Sequence, residues 1–523
     1  MSRLAGQLFL AYSRCRMRRI ARWMTDPASA QAALLAHLTR KAAGTRFGRD
    51  HELGAVRSVA GYQSRVPLRQ FHEFEPYWER LRQGEADVLW PGRIRLFAVT
   101  SGSTGEPKYV PVSREGLKGF LRAGRDILSH YIVNTEDVDH FRGKFLYLGG
   151  AREPLPGPHG SVNGDLSGIV AEKTLWAYRR FRLPTPRVHL VADWEAKLDA
   201  VADEAWNADV RGVSGIPSWL VALFERVLQR RREAGLAAGC VADAWPNLNL
   251  VVHGGVSFEP YRELFCQLIG RPFYGLEVYL GSEGFLAIQD QPGCGDLLLR
   301  MDTGIFHEFV PVEALGSERP PRHWAATVET GVEYAIAVTT ASGLWGSFIG
   351  DTVRFVSLSP HRIRFSGRSE QFLSAFGEHL RAADVEAAIV AACEKAGARV
   401  AEFHVAPVYP RADSLRRGHQ WFIEPHCAPR NPQAFVAALD RALQRRNVDY
   451  QEHRHNDADL PLPEVVFVPA GTFYEAMRRL GRLGGQFKVP HVQNDRRFAE
   501  VLIGVLKARR CQGGDNGSDS GYC

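Results

Sequence analysis

The run Thr100–Ser113, "TSGSTGEPKYVPVS", interleaves hydroxyl residues with glycines and then turns basic at Lys108. It follows the apolar stretch Ile94–Val99 and continues as "YVPVS", so the pattern predicts two strands joined by a small-residue hairpin. Such a hairpin leaves backbone N–H groups and hydroxyls uncrowded, which suits it to wrap phosphate. It is not a Walker A loop, which needs four residues between its first glycine and Gly-Lys-Ser/Thr, and a helix directly after. Here Lys108 follows Pro107 and a strand follows Lys108. A flexible surface turn is the plainer alternative. Thr100, Ser101, Gly102, Ser103, Thr104 and Gly105 ahead of Pro-Lys favour the phosphate loop instead.

Outward from this hairpin the texture is α/β. Pro27 to about Asp87 reads as helical, with Ala33, Leu34, Leu38 and Ala42 at helical spacing and Gly44 as a stop. Beyond Val88, short β-rich runs at Phe145–Leu148, Leu248–His253, Ala335–Thr339 and Thr352–Leu358 alternate with helical stretches such as Trp219–Glu233. Past the arginine-rich "RIRFSGRSEQFL" a second pattern begins. It runs helix Ala382–Ala396, strands Glu402–Val408 and Gln420–Ile423, helix Pro432–Arg445 and strand Glu464–Val468. The expected organisation is an arginine-rich helix (1–25), a large α/β domain (26–367), a smaller α+β domain (368–510) and a disordered tail (511–523). The junction is expected near Arg368–Gln371.

Composition narrows the function classes. A chain of 523 residues with 45% hydrophobic content supports more than one real core. Its net charge of +7 suits anionic ligands without arguing for nucleic acid. No run of apolar residues is long enough to span a bilayer. The eight cysteines show neither CxxC pairs nor metal-type spacing, which points to reduced thiols in a cytoplasmic enzyme. The first 25 residues hold six arginines and no acid. A transit peptide and a membrane-surface helix are the alternatives; the reading adopted is an amphipathic first helix with its arginines in solvent.

Five other positions carry chemistry when taken in order with the hairpin. "VVHGGVSFEP" sets Gly254 and Gly255 after a buried strand, where a planar base can approach closely, with His253 beside them. "FYGLEVYLGSEGFLAIQD" supplies Tyr279, Ser282 and Glu283, and "SFIGDTVRF" supplies Asp351 behind Gly350. "FSGRSEQFL" contributes Arg368 and "GGQFKVPHV" contributes Lys488. Singly these are ordinary: a strand-end Tyr and Glu, a Gly-Asp turn, a solvated lysine. The 18 histidines are dispersed and no Ser-His-Asp or Cys-His series stands out, so no covalent nucleophile is expected.

In series they resemble the adenylate-forming superfamily, which activates carboxylic acids as acyl-AMP. "VPLRQFHEFEPYWERLRQGEADVLWPGRIRLFAVTSGSTGEPKYVPVS", "GIFHEFVPVE", "QAALLAHLTRKAAGTRFGRDH" and "NVDYQEHRHNDADLPLPEVVFVPAGTFYEAM" narrow the likeness. From roughly residue 30 to 495 the chain resembles the Gretchen Hagen (auxin-responsive promoter) family of acyl acid amido synthetases, in its bacterial form. The resemblance implies an adenylate-forming fold with a large N-terminal and a small C-terminal domain, and ATP and Mg²⁺ as cofactors. It implies that residues 100–108 grip phosphate, Tyr279 packs on adenine, and Ser282 and Glu283 lie near the α-phosphate and its Mg²⁺. Asp351 and Arg368 would take the ribose, and Lys488 the reacting phosphate. The expected partners are a small carboxylic acid and an amino acid, and the expected state is a monomer. An acyl-CoA synthetase and a non-catalytic nucleotide-binding protein are the rival readings. One departure stands out: Gly346, Ser347 and Phe348 replace the tyrosine-bearing residues the family carries before Gly-Asp.

Overall fold

The computed structural model describes residues 3–512 apart from 102–106, 150–153, 174–180, 256–257, 259–260, 316, 369–371, 374–379, 409–417, 448–449, 452–453, 455–459, 484–487 and 494. The chain divides into two compact units. One is built mainly from residues up to Ser369; the other runs from Glu370 onward and includes Glu259–Leu264.

In chain order the strands of the first unit are β1 Leu96–Ser101, β2 Pro107–Val112, β3 Lys144–Tyr147, β4 Leu155–Pro156, β5 Val162–Gly164, β6 Arg182–Leu183, β7 Val210–Gly215 and β8 Leu250–Gly254. They continue as β9 Tyr274–Gly281, β10 Gly284–Ile288, β11 Leu297–Leu299, β12 Ile305–Pro311, β13 Glu333–Thr340, β14 Ser347–Leu358 and β15 His361–Arg368. A four-stranded sheet has the order β2-β1-β5-β4, and an eleven-stranded sheet has the order β12-β13-β14-β15-β11-β10-β9-β8-β7-β3-β6. β9 pairs parallel with β8 and antiparallel with β10, so the large sheet changes character at that strand. Every residue of β12 and β13 is buried, His307 and Glu308 included, so neither strand alternates apolar with solvent-facing positions.

Helices fix the hairpin's surroundings. Ser113, directly after β2, caps the Arg114–Thr135 helix: its Oγ accepts from Gly116 N at 2.9 Å and donates to Ala341 O at 2.5 Å. The helix lies close on its neighbours because Gly116 and Gly119 have no side chain. A Cβ at either would come within 2.1 Å of Ser342 Oγ or of the Thr303 carbonyl oxygen.

The Arg3–Thr25 helix corrects one expectation. Arg3, Arg14, Arg18, Arg19 and Arg22 are exposed as anticipated, but Arg16 is buried with Gly6, Ser13, Ile20 and Trp23 on the face that packs inward. Its guanidinium bonds both Asp126 oxygens, at 2.9 and 2.7 Å, and Asp302 at 2.5 Å. Arg300, fully buried, pairs with the same Asp126. A turn of about 100° per residue brings one arginine of the run to the inner face, and two carboxylates compensate its charge there.

In the second unit, β16 Phe372–Leu373 pairs with β17 Leu380–Arg381. β18 Arg399–Val408, β19 Gly418–Cys427 and β20 Glu464–Phe467 form a separate sheet, antiparallel then parallel. The helices Ala382–Ala396 and Pro432–Arg446 bury Ile389 and Leu439 against Trp421 and Phe403 of that sheet. The last helix, Arg497–Gln512, runs two residues into the expected tail, and the remainder of the tail lies outside the described residues. Among the described residues no helix is long and apolar enough to cross a membrane, and the described cysteines are free thiols.

Candidate functional site

β8 and β9 are parallel, and their carboxyl ends lie beside the point where the sheet switches to antiparallel pairing. That is where open α/β sheets present a crevice to ligands. At the end of β8, His253 is buried and stacks on Phe258, with ring centroids 3.8 Å apart and an 18° interplanar angle. Gly254 is needed for close approach: a Cβ there would lie 2.3 Å from the Val278 carbonyl oxygen. Gly255 has φ +89°, a conformation that favours glycine.

The β9–β10 hairpin turns on two residues, Ser282 and Glu283, between the paired Gly281 and Gly284. Both turn residues are half-buried. Upstream in β9, Tyr279 donates its phenolic proton to Asp351 Oδ2 at 2.6 Å, and Phe365 meets its ring edge-on at 5.9 Å. Tyr279 and Asp351 lie on strands four places apart in the sheet order. A flat sheet would separate those strands by about 19 Å. The short β10 and β11 and the curl of the sheet therefore bring the two side chains together. Asp351 stands opposite Arg368 in the β14–β15 register.

The unusual Gly346-Ser347-Phe348 run is accommodated by the segment Pro67–Arg69. Arg69 N donates to Gly346 O, and Phe348 N donates to Arg69 O, each at 2.9 Å. Gly346 N donates to Thr339 Oγ1 at 2.9 Å and its φ is +59°. Ser347 and Phe348 thus keep their pairing with Val338 and Ala337, and the register shifts before Thr352 pairs with Ala335.

In the phosphate-loop candidate, Thr100 pairs with Lys108 and Ser101 with Pro107 across the β1–β2 ladder. Gly102, Ser103, Thr104 and Gly105 lie outside the described residues. Lys108 is half-buried, with its ammonium 5.7 Å from the centroid of Phe71. Lys488 belongs to the second unit and is exposed. The structure therefore joins Tyr279 to Asp351 directly, sets Arg368 in register with them, and places Gly254 one strand from Tyr279.

Sequence reasoning missed Phe258 and Phe365. Each sits near an anticipated residue, but a lone aromatic residue carries no mark that separates a site wall from core. Among the described residues no three His, Cys, Asp or Glu side chains are grouped to hold a metal alone. Mg²⁺ bound mostly through nucleotide phosphates needs only one or two protein carboxylates, and Glu283 at the hairpin turn fits that demand.

The fold is that of adenylate-forming enzymes. Among solved structures, the chain is similar to GH3.15 acyl acid amido synthetase (TM-score 0.76, 16% identity, covering 94% of this chain and 95% of that one). It is also similar to a 2-hydroxyisobutyryl-CoA ligase in the postadenylation state (TM-score 0.58, 13% identity, 92% and 91% covered). Models of the GH3 family N-terminal, central and C-terminal domains match residues 16–182, 298–368 and 383–497. These cover more than half of the chain, and the protein belongs to the GH3 family. Its relatives include indole-3-acetic acid-amido synthetase GH3.8 of Oryza sativa subsp. indica, 22% identical over 93% of this chain and 92% of that protein. Jasmonoyl--L-amino acid synthetase JAR6 of Nicotiana attenuata is 22% identical, with 89% and 91% covered.

Proposed function

We propose that this chain adenylates a small carboxylic acid with ATP and passes the acyl group to the amine of an amino acid, releasing pyrophosphate and AMP. The observation that carries the reading is the Tyr279–Asp351 hydrogen bond at the switch point of the large sheet, opposite Arg368. A carboxylate is an acceptor with several lone-pair sites, and the vicinal hydroxyls of a ribose are donors that suit it. The same phenol is thereby oriented, and its ring offers a face for a purine.

Adenylation is an in-line attack of a carboxylate on the α-phosphorus, so two anions must meet while charge gathers on the phosphoryl and leaving oxygens. Positive charge and oriented donors therefore do the catalytic work. We assign phosphate gripping to residues 100–105 with Lys108, and contact with the reacting phosphate to Ser282, Glu283 and Lys488. Mg²⁺ held by Glu283 would neutralise phosphate charge. Gly254 and Gly255 leave room for the base, and Asp351 with Arg368 holds the ribose. Lys488 serves the adenylation step, and the acyl-AMP so formed reacts with a free amine without a covalent enzyme intermediate. By analogy with the family, the small domain would rotate about the junction near Arg368 to exchange an adenylating arrangement for a transfer one, in a cytoplasmic monomer.

The test is one reaction holding ATP, Mg²⁺, mixed carboxylic acids, coenzyme A and the common amino acids, read by mass spectrometry. An N-acyl amino acid with equimolar AMP is the expected product and names both substrates. An acyl-CoA product would replace this reading with that of an acyl-CoA synthetase, and AMP-free silence would favour a binding protein.

A further inference from the structure

The residues after Lys488 are docked along β18. Val405 N donates to His491 O at 2.8 Å, Gln493 N donates to Val405 O at 3.2 Å, and Val405 and Val492 form a parallel bridge. His404 Nδ1 meets the Pro490 carbonyl oxygen at 2.5 Å. At the centre of this dock lies the His491 side chain, only 10% exposed. Its Nε2 is 2.8 Å from Glu402 Oε1 and its Nδ1 is 3.6 Å from Glu386 Oε1, while its ring stacks on Phe403 at 4.1 Å. Glu402 is itself held, accepting from Phe403 N at 3.1 Å and from the Tyr261 hydroxyl at 3.3 Å.

A carboxylate at each ring nitrogen, one in hydrogen-bond contact and one at ion-pair distance, favours the imidazolium. We propose that His491, clasped between Glu386 and Glu402, is the positioning residue for Lys488, and that it therefore governs adenylation and not acyl transfer. The inference rests on the assignment of Lys488 to adenylation. Its physical basis is reach. A lysine ammonium on a flexible stem is aimed mainly by its backbone, and His491 lies three positions after Lys488, at most about 10 Å along the chain. Two main-chain bonds at Val405 alone would let that strand shift or fray. The ionic clasp pins its register to one helix, Ala382–Ala396, and one strand, β18.

Burial alone would lower the His491 pKa, but Glu402 and Glu386 overcome it and raise it to about 9. Among the described residues, Tyr261 and Glu424 also face Glu402, and burial pushes Glu424 up. His404 lies beside His491, and burial pushes it down to about 4, with Asp495 and Arg496 also acting on it.

The experiment compares wild type, His491→Gln and Lys488→Ala in two separate assays: ATP–pyrophosphate exchange with the acid, and aminolysis of supplied acyl-AMP. We expect His491→Gln to lower exchange by about a hundredfold, the cost of misplacing a catalytic group by roughly an ångström, and to leave aminolysis within about twofold. Loss of both activities together would show a merely structural role and overturn the inference. Unchanged exchange in His491→Gln alongside its loss in Lys488→Ala would also overturn it, leaving the proposed function intact. Full exchange in Lys488→Ala would remove the inference together with the lysine assignment. Should His491→Gln fail to fold, Glu402→Gln serves in its place: withdrawing one carboxylate must move the alkaline loss of exchange to lower pH. An unmoved limb refutes the clasp.

Discussion

Under the proposed function, Asp351 and Tyr279 divide the nucleotide-binding task unequally. The phenol donates one hydrogen bond to the carboxylate, and the carboxylate would be the group that meets the ribose. Asp351→Asn removes charge-assisted hydrogen bonds worth about 1.5–3 kcal/mol. The ATP KM should therefore rise about ten- to a hundredfold, with kcat reduced much less. Tyr279→Phe loses one neutral donor and keeps the ring, so the same KM should rise only about fivefold. Steady-state AMP release at varied ATP measures both, and a larger effect in Tyr279→Phe would reverse the assignment. Lys488→Ala should behave differently again. A group acting on the reacting phosphate lowers kcat by about a hundredfold or more with little change in ATP KM. Gly254→Ala tests the backbone rather than the chemistry. Its Cβ would overlap the Val278 carbonyl oxygen at 2.3 Å, so we expect a loss of about 1–3 kcal/mol in stability, read by urea unfolding.

At the scale of the element, the Arg3–Thr25 helix is bound by charge as much as by apolar contact. Asp126 is fully buried between Arg16 and Arg300. Burial by itself would raise its pKa, but the two guanidiniums hold the carboxyl below the usual range. Removing the carboxylate leaves Asp302 to compensate two buried cations by itself, so Asp126→Ala should cost about 3 kcal/mol. Arg14→Ala breaks an exposed pair with Glu136 and should cost less than about 1 kcal/mol. Because the Asp126 pKa is depressed on folding, its stabilising effect is complete above the unfolded carboxylate range and fades as pH falls below about 4. Urea midpoints of wild type should drop through that window by more than those of Asp126→Ala. This element also marks the limit of what the sequence made legible. Helical spacing of apolar residues and the Gly-Ser-Thr hairpin predicted elements that formed nearly where expected, because each is decided within a few neighbours. The burial of Arg16 alone among six arginines depends on Asp126 and Asp302, more than a hundred residues away. The Tyr279–Asp351 contact likewise depends on the placing of β10, β11 and β15 between β9 and β14, a sheet order that the chain order does not give. Phe258 and Phe365 were hidden for the same reason.

Across the whole molecule, buried histidines give the two units opposite responses to pH. In the first unit burial pushes His130, His140 and His307 down to about 4 and His189 to about 3. Between about pH 6.5 and 4 the unfolded chain binds protons at these rings that the folded unit refuses, so stability rises with pH across that window. At pH 5 each such ring withdraws on the order of 2 kcal/mol, and four of them together rival the net stability of a domain. In the second unit His404 acts in the same sense, but His491 opposes it. Its folded pKa is raised, so its contribution is complete below about 6.5 and is lost as pH climbs through about 9. Acidification from pH 7.5 to 5 should therefore weaken the first unit well before the second. Raising pH from 7.5 to 10 should weaken the second unit around Val405–Gln493. Amide hydrogen exchange under mild urea, followed peptide by peptide at the three pH values, separates the two responses. Faster exchange at pH 5 in β18 than in β12 and β13 would contradict the argument, because those strands share their units with the histidines that set the two limbs.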